Sequence, residues 1–285
     1  MGIQFNIFKN ILEKELIKKP KNILLISNLS LYLHKSEIKY LKKKNLIQAK
    51  DFIKYNFGDY AINYLKKIFK NSNFDIIDNS NYENANLIYD LNKNISKKLK
   101  KKYDLIIEGG TLEHIYNFPQ AILNINNLLK VGGTIYLSTP ANNQCGHGFY
   151  QFSPELFFRI FDKKNGFKLN FMDFFSSPFL SMELSRNKYV TTPIDPAKTG
   201  LRNQFLFSKP LVLNISATRI SLNTNEIQQS DYQEAWNKKR KKNFSNSLIT
   251  YIKENLPIQL INLLKGIFEK RRYSFKNKKN FFKRN

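Results

Sequence analysis

The sequence has 285 residues, of which 42% are hydrophobic, and its formal net charge is +25. A chain of this size can bury a full hydrophobic core, and its single cysteine excludes an internal disulfide framework and fits a reducing compartment. No run approaches the roughly 18 apolar residues needed to span a bilayer, and charged residues interrupt the apolar positions of the N-terminus. We therefore expect a cytoplasmic protein without a signal peptide.

The first third of the chain alternates predicted helices and strands. Residues 1–20 predict an amphipathic N-terminal helix that Pro20 ends. A first strand is expected over Asn22–Ser27, and Ser36 can cap the helix that follows it. A further helical pattern lies within Phe52–Phe69. This alternation predicts an α/β domain, which we place at residues 21–222.

Two consecutive predicted strands end next to an aspartate. The first is Phe74–Asp78, and the second is Asn86–Tyr89, which Asp90 follows. Carboxylates at such strand ends can accept hydrogen bonds from the ribose hydroxyls or the adenine amino group of a cofactor. Each aspartate can instead simply cap a turn.

The stretch from residue 102 to residue 159 contains a complete βαβ unit. A buried strand is expected over Tyr103–Ile107, a helix over Leu112–Lys130 that ends at Gly132-Gly133, and a strand over Thr134–Thr139 that Pro140 ends. Its two strands should be parallel. Because ligands bind beyond the carboxyl ends of such strands, chemistry is expected at residues 108–114 and 139–150.

The sequence after this unit predicts a helix capped by Ser153, a strand over Phe167–Phe175 and a last strand over Pro210–Ile220. Since no long helix separates the last two strands, we expect an antiparallel strand at the edge of a mostly parallel sheet flanked by helices. Residues 176–203 form either an insertion or a lid over the substrate.

The C-terminal part has a different composition. Residues 223–264 predict a helical extension, and residues 265–285 carry nine lysines and arginines against one glutamate. The segment 248–285 can therefore contact an anionic membrane at its inner face. A disordered basic tail is the alternative.

The sequence contains three histidines, and each can be considered separately as a candidate site residue. His34 lies among lysines and is expected at the surface, whereas His114 and His147 fall at the predicted ligand edge. The N-terminus of the predicted helix disfavours a protonated His114, and a neutral histidine at this edge can act as a base or bind the substrate, or it can have a purely structural role. The two glycines around His147 allow the backbone to approach another group closely. The spacing of histidines, cysteine and carboxylates resembles no metal site.

Several of these segments together resemble a known family, the Rossmann-like S-adenosylmethionine-dependent methyltransferases. The segments are Tyr103–Ile115, Leu128–Gly133, Ser138–Pro140, Ala141–Asn143, Gly146–Phe157 and Gly166–Phe167. The resemblance covers roughly residues 22–175 and the last strand. It implies a Rossmann-like fold, S-adenosylmethionine as the cofactor, and transfer of its methyl group to an acceptor.

The resemblance also implies roles for individual residues. Asp78 would bind the cofactor ribose, Asp90 would lie beside adenine, and residues 108–111 would form the wall beside the methionine part. The full set of expected cofactor-binding residues is Ser27, Asn28, Asp78, Asp90, Leu91, Glu108, Gly109 and Gly110. The candidates for the acceptor side are His114, His147 and Tyr150.

One segment departs from the pattern of the family, because the turn after the first strand, Ser27–Leu31, contains no glycine. The sequence therefore leaves three readings open. The first is a methyltransferase for a small-molecule or sugar-bearing acceptor. The second is a catalytically inactive binding or scaffold protein of the same fold. The third, drawn from the basic charge, is a nucleic-acid methyltransferase, against which no aromatic and basic RNA-binding module is recognisable.

Overall fold

The computed structural model separates the chain into two compact units. The first comprises Met1–Tyr189 and Lys209–Asn225, and the second comprises Val190–Ser208 and Glu226–Asn285. The residues that the structure describes are 2–100, 102–176, 189–200, 202–203, 205, 207–222 and 255–283. The expected lid at 176–203 and the expected extension at 223–264 therefore lie partly outside the described residues. The unit boundaries differ from those expected at residues 20, 222 and 264, because residues 190–208 group with the C-terminal segment.

Helices and strands alternate through the first unit. The described helices are α1 (Phe5–Lys18), α2 (Lys35–Lys43), α3 (Ile62–Ile68), α4 (Phe118–Leu128), α5 (Pro154–Ile160), α6 (Pro196–Thr199) and α7 (Ile258–Arg272). The described strands are β1 (Gly2–Gln4), β2 (Asn22–Ile26), β3 (Ser30–Tyr32), β4 (Asn73–Asp78), β5 (Leu87–Ile88), β6 (Tyr103–Glu108), β7 (Leu129–Asn142), β8 (Phe167–Ser176), β9 (Tyr189–Pro193), β10 (Leu211–Arg219) and β11 (Phe281–Phe282). No described helix is both long and apolar enough to cross a membrane.

The main sheet of the first unit has the strand order β8-β10-β7-β6-β2-β4-β5. Strands β5, β4, β2, β6 and β7 are parallel to one another. In chain order from β2 they are arranged 3-2-1-4-5, the order of the Rossmann fold. The fold class predicted from the sequence, a mostly parallel Rossmann-like sheet flanked by helices, is confirmed.

The antiparallel strand is present, but it does not lie at the edge. β10 pairs antiparallel with β7 on one side and with β8 on the other, so β8 is the outer strand of this pair. The prediction of an antiparallel strand was right, and its placement at the edge was wrong. Local sequence patterns indicate that a strand exists, whereas its neighbours are decided by pairing between distant segments.

The central strands are buried on both faces, as their unbroken apolar sequence predicts. Ile23 and Leu25 of β2 pack with α1, α2 and α3 in one hydrophobic cluster. Leu24 and Ile26 point to the opposite face and are equally buried. This packing fixes the carboxyl ends of β2 and β6 side by side, where the sequence places the candidate site residues.

The N-terminal helix forms as predicted. α1 buries one apolar face in the core of the first unit, and Lys19 ends it in the left-handed conformation, at φ 52°. Before it, β1 pairs in parallel with β3. The N–H of Gly2 donates to the carbonyl oxygen of Gly109 at 2.9 Å. The beginning of the chain therefore lies against the carboxyl end of β6.

The helix expected at Leu112–Lys130 begins later. Residues Leu112–His114 form a single 3-10 turn, and α4 starts at Phe118. Asn117 caps α4 with its side chain, which accepts a hydrogen bond from the N–H of Gln120. Pro119 fits the first turn of a helix but not its interior, so it excludes a helix that runs through this point.

The strand expected at Thr134–Thr139 extends further in both directions. β7 runs through Gly132-Gly133 and through Pro140. The register with β6 shifts across the glycines, where Gly132 has a φ of 85°, and Pro140 lies opposite Val212, where the register with β10 also shifts. Such an irregularity is a position at which a sheet tolerates proline.

The C-terminal basic segment is structured where it is described, contrary to the expectation of a disordered tail at 265–285. α7 continues to Arg272, and β11 pairs antiparallel with β9 in the second unit. Phe281 is 1% exposed, and its ring packs against the rings of Phe205 and Phe275. Aromatic burial thus offsets the ordering entropy that the charged composition alone could not offset.

Candidate active site

The carboxyl ends of β2 and β6 are joined by side-chain hydrogen bonds. The hydroxyl group of Thr111 donates to the carbonyl oxygen of Ile26 at 3.3 Å and lies 3.2 Å from the hydroxyl oxygen of Ser27. Ser27 is buried and has a φ of 64°. Glycine adopts this left-handed conformation most easily. The glycine-free turn after the first strand therefore makes the sharp change of direction with serine.

Two buried oxygen atoms at this edge have no hydrogen-bond partner among the described residues. Asn28 donates through Nδ2 to the carbonyl oxygen of Glu83 at 3.0 Å, whereas its Oδ1 is unpaired. Oε2 of Glu108 is also buried and unpaired. Unpaired buried acceptors are costly in a folded protein. They indicate a place where a ligand with several donor groups can bind.

Glu108 is completely buried at the end of β6. Its Oε1 accepts hydrogen bonds from the backbone N–H groups of Gly110, at 2.7 Å, and of Thr111 and Leu112. Burial raises the pKa of this carboxyl group, although the backbone N–H groups of Thr111, Leu112, Gly110 and Ser138 counteract the rise. Glu108 therefore holds the turn that leads into the 3-10 helix, and it leaves one oxygen free.

The aspartates at the next two strand ends, Asp78 and Asp90, differ in how many hydrogen bonds and ion pairs their carboxylates already form within the chain. Asp78 is partly buried, and its Oδ1 accepts the N–H of Asn79 at 2.6 Å. Asp90 accepts two hydrogen bonds from Asn92 and lies 3.6 Å from the ammonium group of Lys93. The bonds from Asn92 and the charge of Lys93 lower the pKa of Asp90. Asp90 thus forms the Asp-Leu-Asn turn that the sequence offered as an alternative, and a role beside adenine stays a prediction.

The remaining expected cofactor residues are backbone or packing elements. Leu91 is buried, and its carbonyl oxygen accepts a hydrogen bond from Nδ2 of Asn124 at 3.0 Å. Gly110 has a φ of 101° and donates to Glu108. A Cβ atom at Gly109 would lie 3.2 Å from the carbonyl oxygen of Gly2 and from the side chain of Leu29. The chain itself therefore fills the space next to Gly109.

On the other side of the edge, the structure brings Glu113, His114 and His147 together. Oε1 of Glu113 lies 3.3 Å from Nε2 of His147, and the rings of His114 and His147 meet edge to face with centroids 5.1 Å apart. One ligand atom from each of the three residues lies within 4.8 Å of the others. The sequence predicted that both histidines border one space. It did not single out Glu113, for which the only signal was its position beside His114 in the segment after a buried strand.

Backbone hydrogen bonds hold the loop of His147 against Glu113. The N–H groups of Phe149 and Tyr150 both donate to the carbonyl oxygen of Glu113, at 2.7 and 3.3 Å. Gly148 has a φ of 76°, and a Cβ atom there would come within 2.8 Å of the same carbonyl oxygen. A glycine is therefore required at position 148 for the loop to approach Glu113.

The environment shifts the pKa of two members of this cluster. Burial raises the pKa of Glu113 to about 8, and the neighbouring carboxyl group of Glu108 adds to the rise. Burial also lowers the pKa of His114, and His147 lowers it further. The sequence predicted a neutral His114, but from the N-terminus of a long helix. That cause was wrong, because α4 begins four residues later.

Tyr150 is placed differently from the two histidines. Its hydroxyl group donates to the carbonyl oxygen of Tyr116 at 2.6 Å, and its ring stacks on Phe152. The hydroxyl is thus held by the backbone, so the structure favours a positioning role for Tyr150 over that of a base.

Replacing Gly148 by alanine is expected to lower the free energy of unfolding by about 1–3 kcal/mol, the cost of a strained backbone conformation. The added Cβ would also push His147 away from Glu113. Urea denaturation measures the first effect, and NMR of the histidine side chains measures the second. Gly146→Ala is the matched control, because a Cβ at Gly146 meets no described atom within 4 Å. Equal effects of the two substitutions would contradict this account of the loop.

No protein-family model matches the sequence. No curated protein matches it either. Among solved structures, it is similar to the O-methyltransferase of a trans-AT PKS multienzyme from Brevibacillus brevis in complex with S-adenosyl-L-homocysteine, with 12% identity, 75% of this chain and 71% of that chain covered, and a TM-score of 0.42. It is also similar to 1,6-didemethyltoxoflavin-N1-methyltransferase from Burkholderia thailandensis, with 9% identity, 76% and 78% covered, and a TM-score of 0.38. The N-methyltransferase NodS from Bradyrhizobium japonicum gives 11% identity, 75% and 88% covered, and a TM-score of 0.37.

Proposed function

We propose that this protein transfers a methyl group from S-adenosylmethionine to a small-molecule or sugar-bearing acceptor. The observation that carries the proposal is the set of buried, unpaired oxygen atoms of Asn28 and Glu108 at the carboxyl ends of β2 and β6. In a sheet of order 3-2-1-4-5 these two strands flank the point at which the strand order reverses. Ligands of Rossmann-like folds bind at that point.

The chemistry of the cofactor fits these atoms. S-adenosylmethionine offers an ammonium group, two ribose hydroxyls and an adenine amino group as hydrogen-bond donors, and the edge offers oxygen acceptors. The methyltransferase resemblance of residues 103–167 implies the same cofactor and the same fold. When bound, the cofactor supplies a methyl group activated by its sulfonium. The protein has to bind the cofactor and the acceptor, align them with each other and exclude water.

Individual roles follow from the positions along the edge. We assign the ribose to Asp78, because it ends β4 next to β2 and its carboxylate has one oxygen bonded to the backbone N–H of Asn79. Glu108 and Asn28 are assigned to the methionine part, because Glu108 ends β6 and Asn28 lies two residues after β2. His114 and His147 are assigned to the acceptor side, where a neutral imidazole can take the proton of an acceptor.

Replacing Asp78 by asparagine is expected to weaken the binding of S-adenosylhomocysteine about 10- to 150-fold. This corresponds to the roughly 1.5–3 kcal/mol of a hydrogen bond to a charged group. Calorimetric titration of the full chain measures it. Asp51→Asn is the matched control, because Asp51 lies in the short helix Ala49–Phe52 and not at the end of a strand. Equal affinities of the two variants would remove Asp78 from the site.

The inactive-scaffold reading is the second candidate, and specific observations favour it. Gly2 and Leu29 occupy the space beside Gly109, and the turn at Ser27 has no glycine. Under that reading the unpaired oxygens bind another donor-rich ligand. A wild-type protein that folds but binds no S-adenosylhomocysteine would support this reading over methyl transfer.

A further inference from the structure

The cluster of Glu113, His114 and His147 combines two imidazoles with one carboxylate. From this geometry we infer a binding site for a divalent transition-metal ion. The ligand atoms of the three residues lie within 4.8 Å of one another. Two histidines and a carboxylate are the ligand set of catalytic zinc sites and of non-haem iron sites. Three protein ligands leave coordination positions open for an acceptor or a water molecule.

A buried and unpaired oxygen is the second observation. Glu113 is 1% exposed, and its Oε2 has no hydrogen-bond partner among the described residues. The other oxygen, Oε1, faces Nε2 of His147 at 3.3 Å. A carboxylate buried beside two imidazoles gains from a cation that both kinds of ligand can share.

The spacing suits a metal ion after a small contraction. Ligand atoms at about 2.1 Å from a tetrahedral zinc ion are about 3.4 Å apart, so the 4.8 Å cluster has to close by rotation of side chains. Glu113 and the loop of His147 are already joined by the hydrogen bonds from Phe149 and Tyr150. His114 and His147 are exposed, which gives the ion a path from solvent.

The ion would determine the class of acceptor, and this step alone rests on the proposed methyl transfer. A bound cation lowers the pKa of an oxygen acid that coordinates it. The acceptor hydroxyl then releases its proton to solvent, and its oxygen bonds to the methyl carbon. The carbon–sulfur bond of the sulfonium breaks, its electron pair stays on sulfur, and S-adenosylhomocysteine leaves. The site therefore selects a hydroxyl-bearing acceptor.

Titration of the chelator-treated full chain with cobalt(II) chloride tests the site, because the visible absorption of cobalt depends on its ligands. We expect one equivalent to bind. His114→Ala and His147→Ala should each weaken binding roughly 100-fold or more, since even residues that only support a ligand contribute 10- to 100-fold. Glu113→Gln, which keeps the size of the side chain, should weaken it to a similar extent. Zinc(II) should displace the cobalt.

Two variants control for other ligands. His34→Asn removes the third histidine and places asparagine, a favoured N-cap residue, at the start of α2, and Cys145→Ser removes the exposed thiol two residues before His147. Both should bind cobalt as the wild type does. The proposal would be overturned if the wild type bound no stoichiometric cobalt. It would also be overturned if the His114 and His147 variants bound cobalt as tightly as the wild type.

A parallel titration with S-adenosylhomocysteine in the presence of chelator separates this proposal from the proposed function. Cofactor binding without cobalt binding would overturn the metal site and leave methyl transfer standing. Cobalt binding without cofactor binding would support the metal site and contradict methyl transfer.

Discussion

Replacing His147 by alanine is expected to lower the rate of methyl transfer about 10²–10⁴-fold, the contribution of a positioned acid–base group. His147 lies against the buried Glu113 and beside His114, after β7. Its loss removes either the proton acceptor or a ligand of the ion that activates the acceptor. The residues assigned to the cofactor, Asn28, Asp78 and Glu108, do not include His147, so the affinity for S-adenosylhomocysteine should change by no more than about threefold. His114→Ala should act in the same direction.

The assay measures transfer of a labelled methyl group from S-adenosylmethionine to a panel of hydroxyl, amine and carbon acceptors. His34→Asn is the matched control, because His34 caps α2 and its ring packs against Phe57. If both active-site variants kept the wild-type rate, the histidines would have a structural role. Loss of cofactor binding in either variant would place that histidine on the donor side.

Replacing Phe281 by alanine is expected to lower the free energy of unfolding of the second unit by about 3–5 kcal/mol, the usual cost of truncating a buried phenylalanine. Phe281 is 1% exposed, whereas its neighbour Phe282 is 50% exposed. Phe282→Ala should therefore cost much less, and it serves as the matched control. Hydrogen exchange of the backbone amides of β9 and β11 measures the local stability. Similar small effects of both substitutions would restore the disordered tail that the sequence suggested.

The parallel core was predictable because a strand buried on both faces has a continuous apolar sequence. Tyr103–Ile107 was expected as a strand and is found as Tyr103–Glu108, and Phe74–Asp78 is found as Asn73–Asp78. Helix ends were less predictable. The apolar spacing from Leu112 onward is helical, but Pro119 and the cap at Asn117 delay the start of α4 to Phe118.

Features that depend on pairing between distant segments could not be predicted from the sequence. The position of β10 between β7 and β8, the parallel pairing of β1 with β3, and the pairing of β11 with β9 have no local signature. The extension of β7 through Gly132-Gly133 also has no local signature, since the register with β6 shifts there and Gly132 keeps a left-handed φ of 85°.

The site shows the same division. The sequence predicted that His114 and His147 lie at one edge, because the carboxyl ends of parallel strands meet there. It could not predict that Gly148 lets the loop of His147 contact the backbone of Glu113, because that contact depends on a backbone conformation. Nor could it separate Asp78 from Asp90, whose difference lies in the hydrogen bonds that Asn92 and Asn79 donate.

Calorimetric titration of the wild-type chain with S-adenosylhomocysteine tests the central claim most directly. The unpaired acceptors of Asn28 and Glu108, together with Asp78, predict one binding site per chain with a dissociation constant below about 1 mM, the upper end of the usual range for enzyme ligands. The bound ligand should also raise the melting temperature, because it stabilises only the folded state. A folded protein that shows neither heat of binding nor a thermal shift at saturating ligand would contradict the assignment as a methyltransferase.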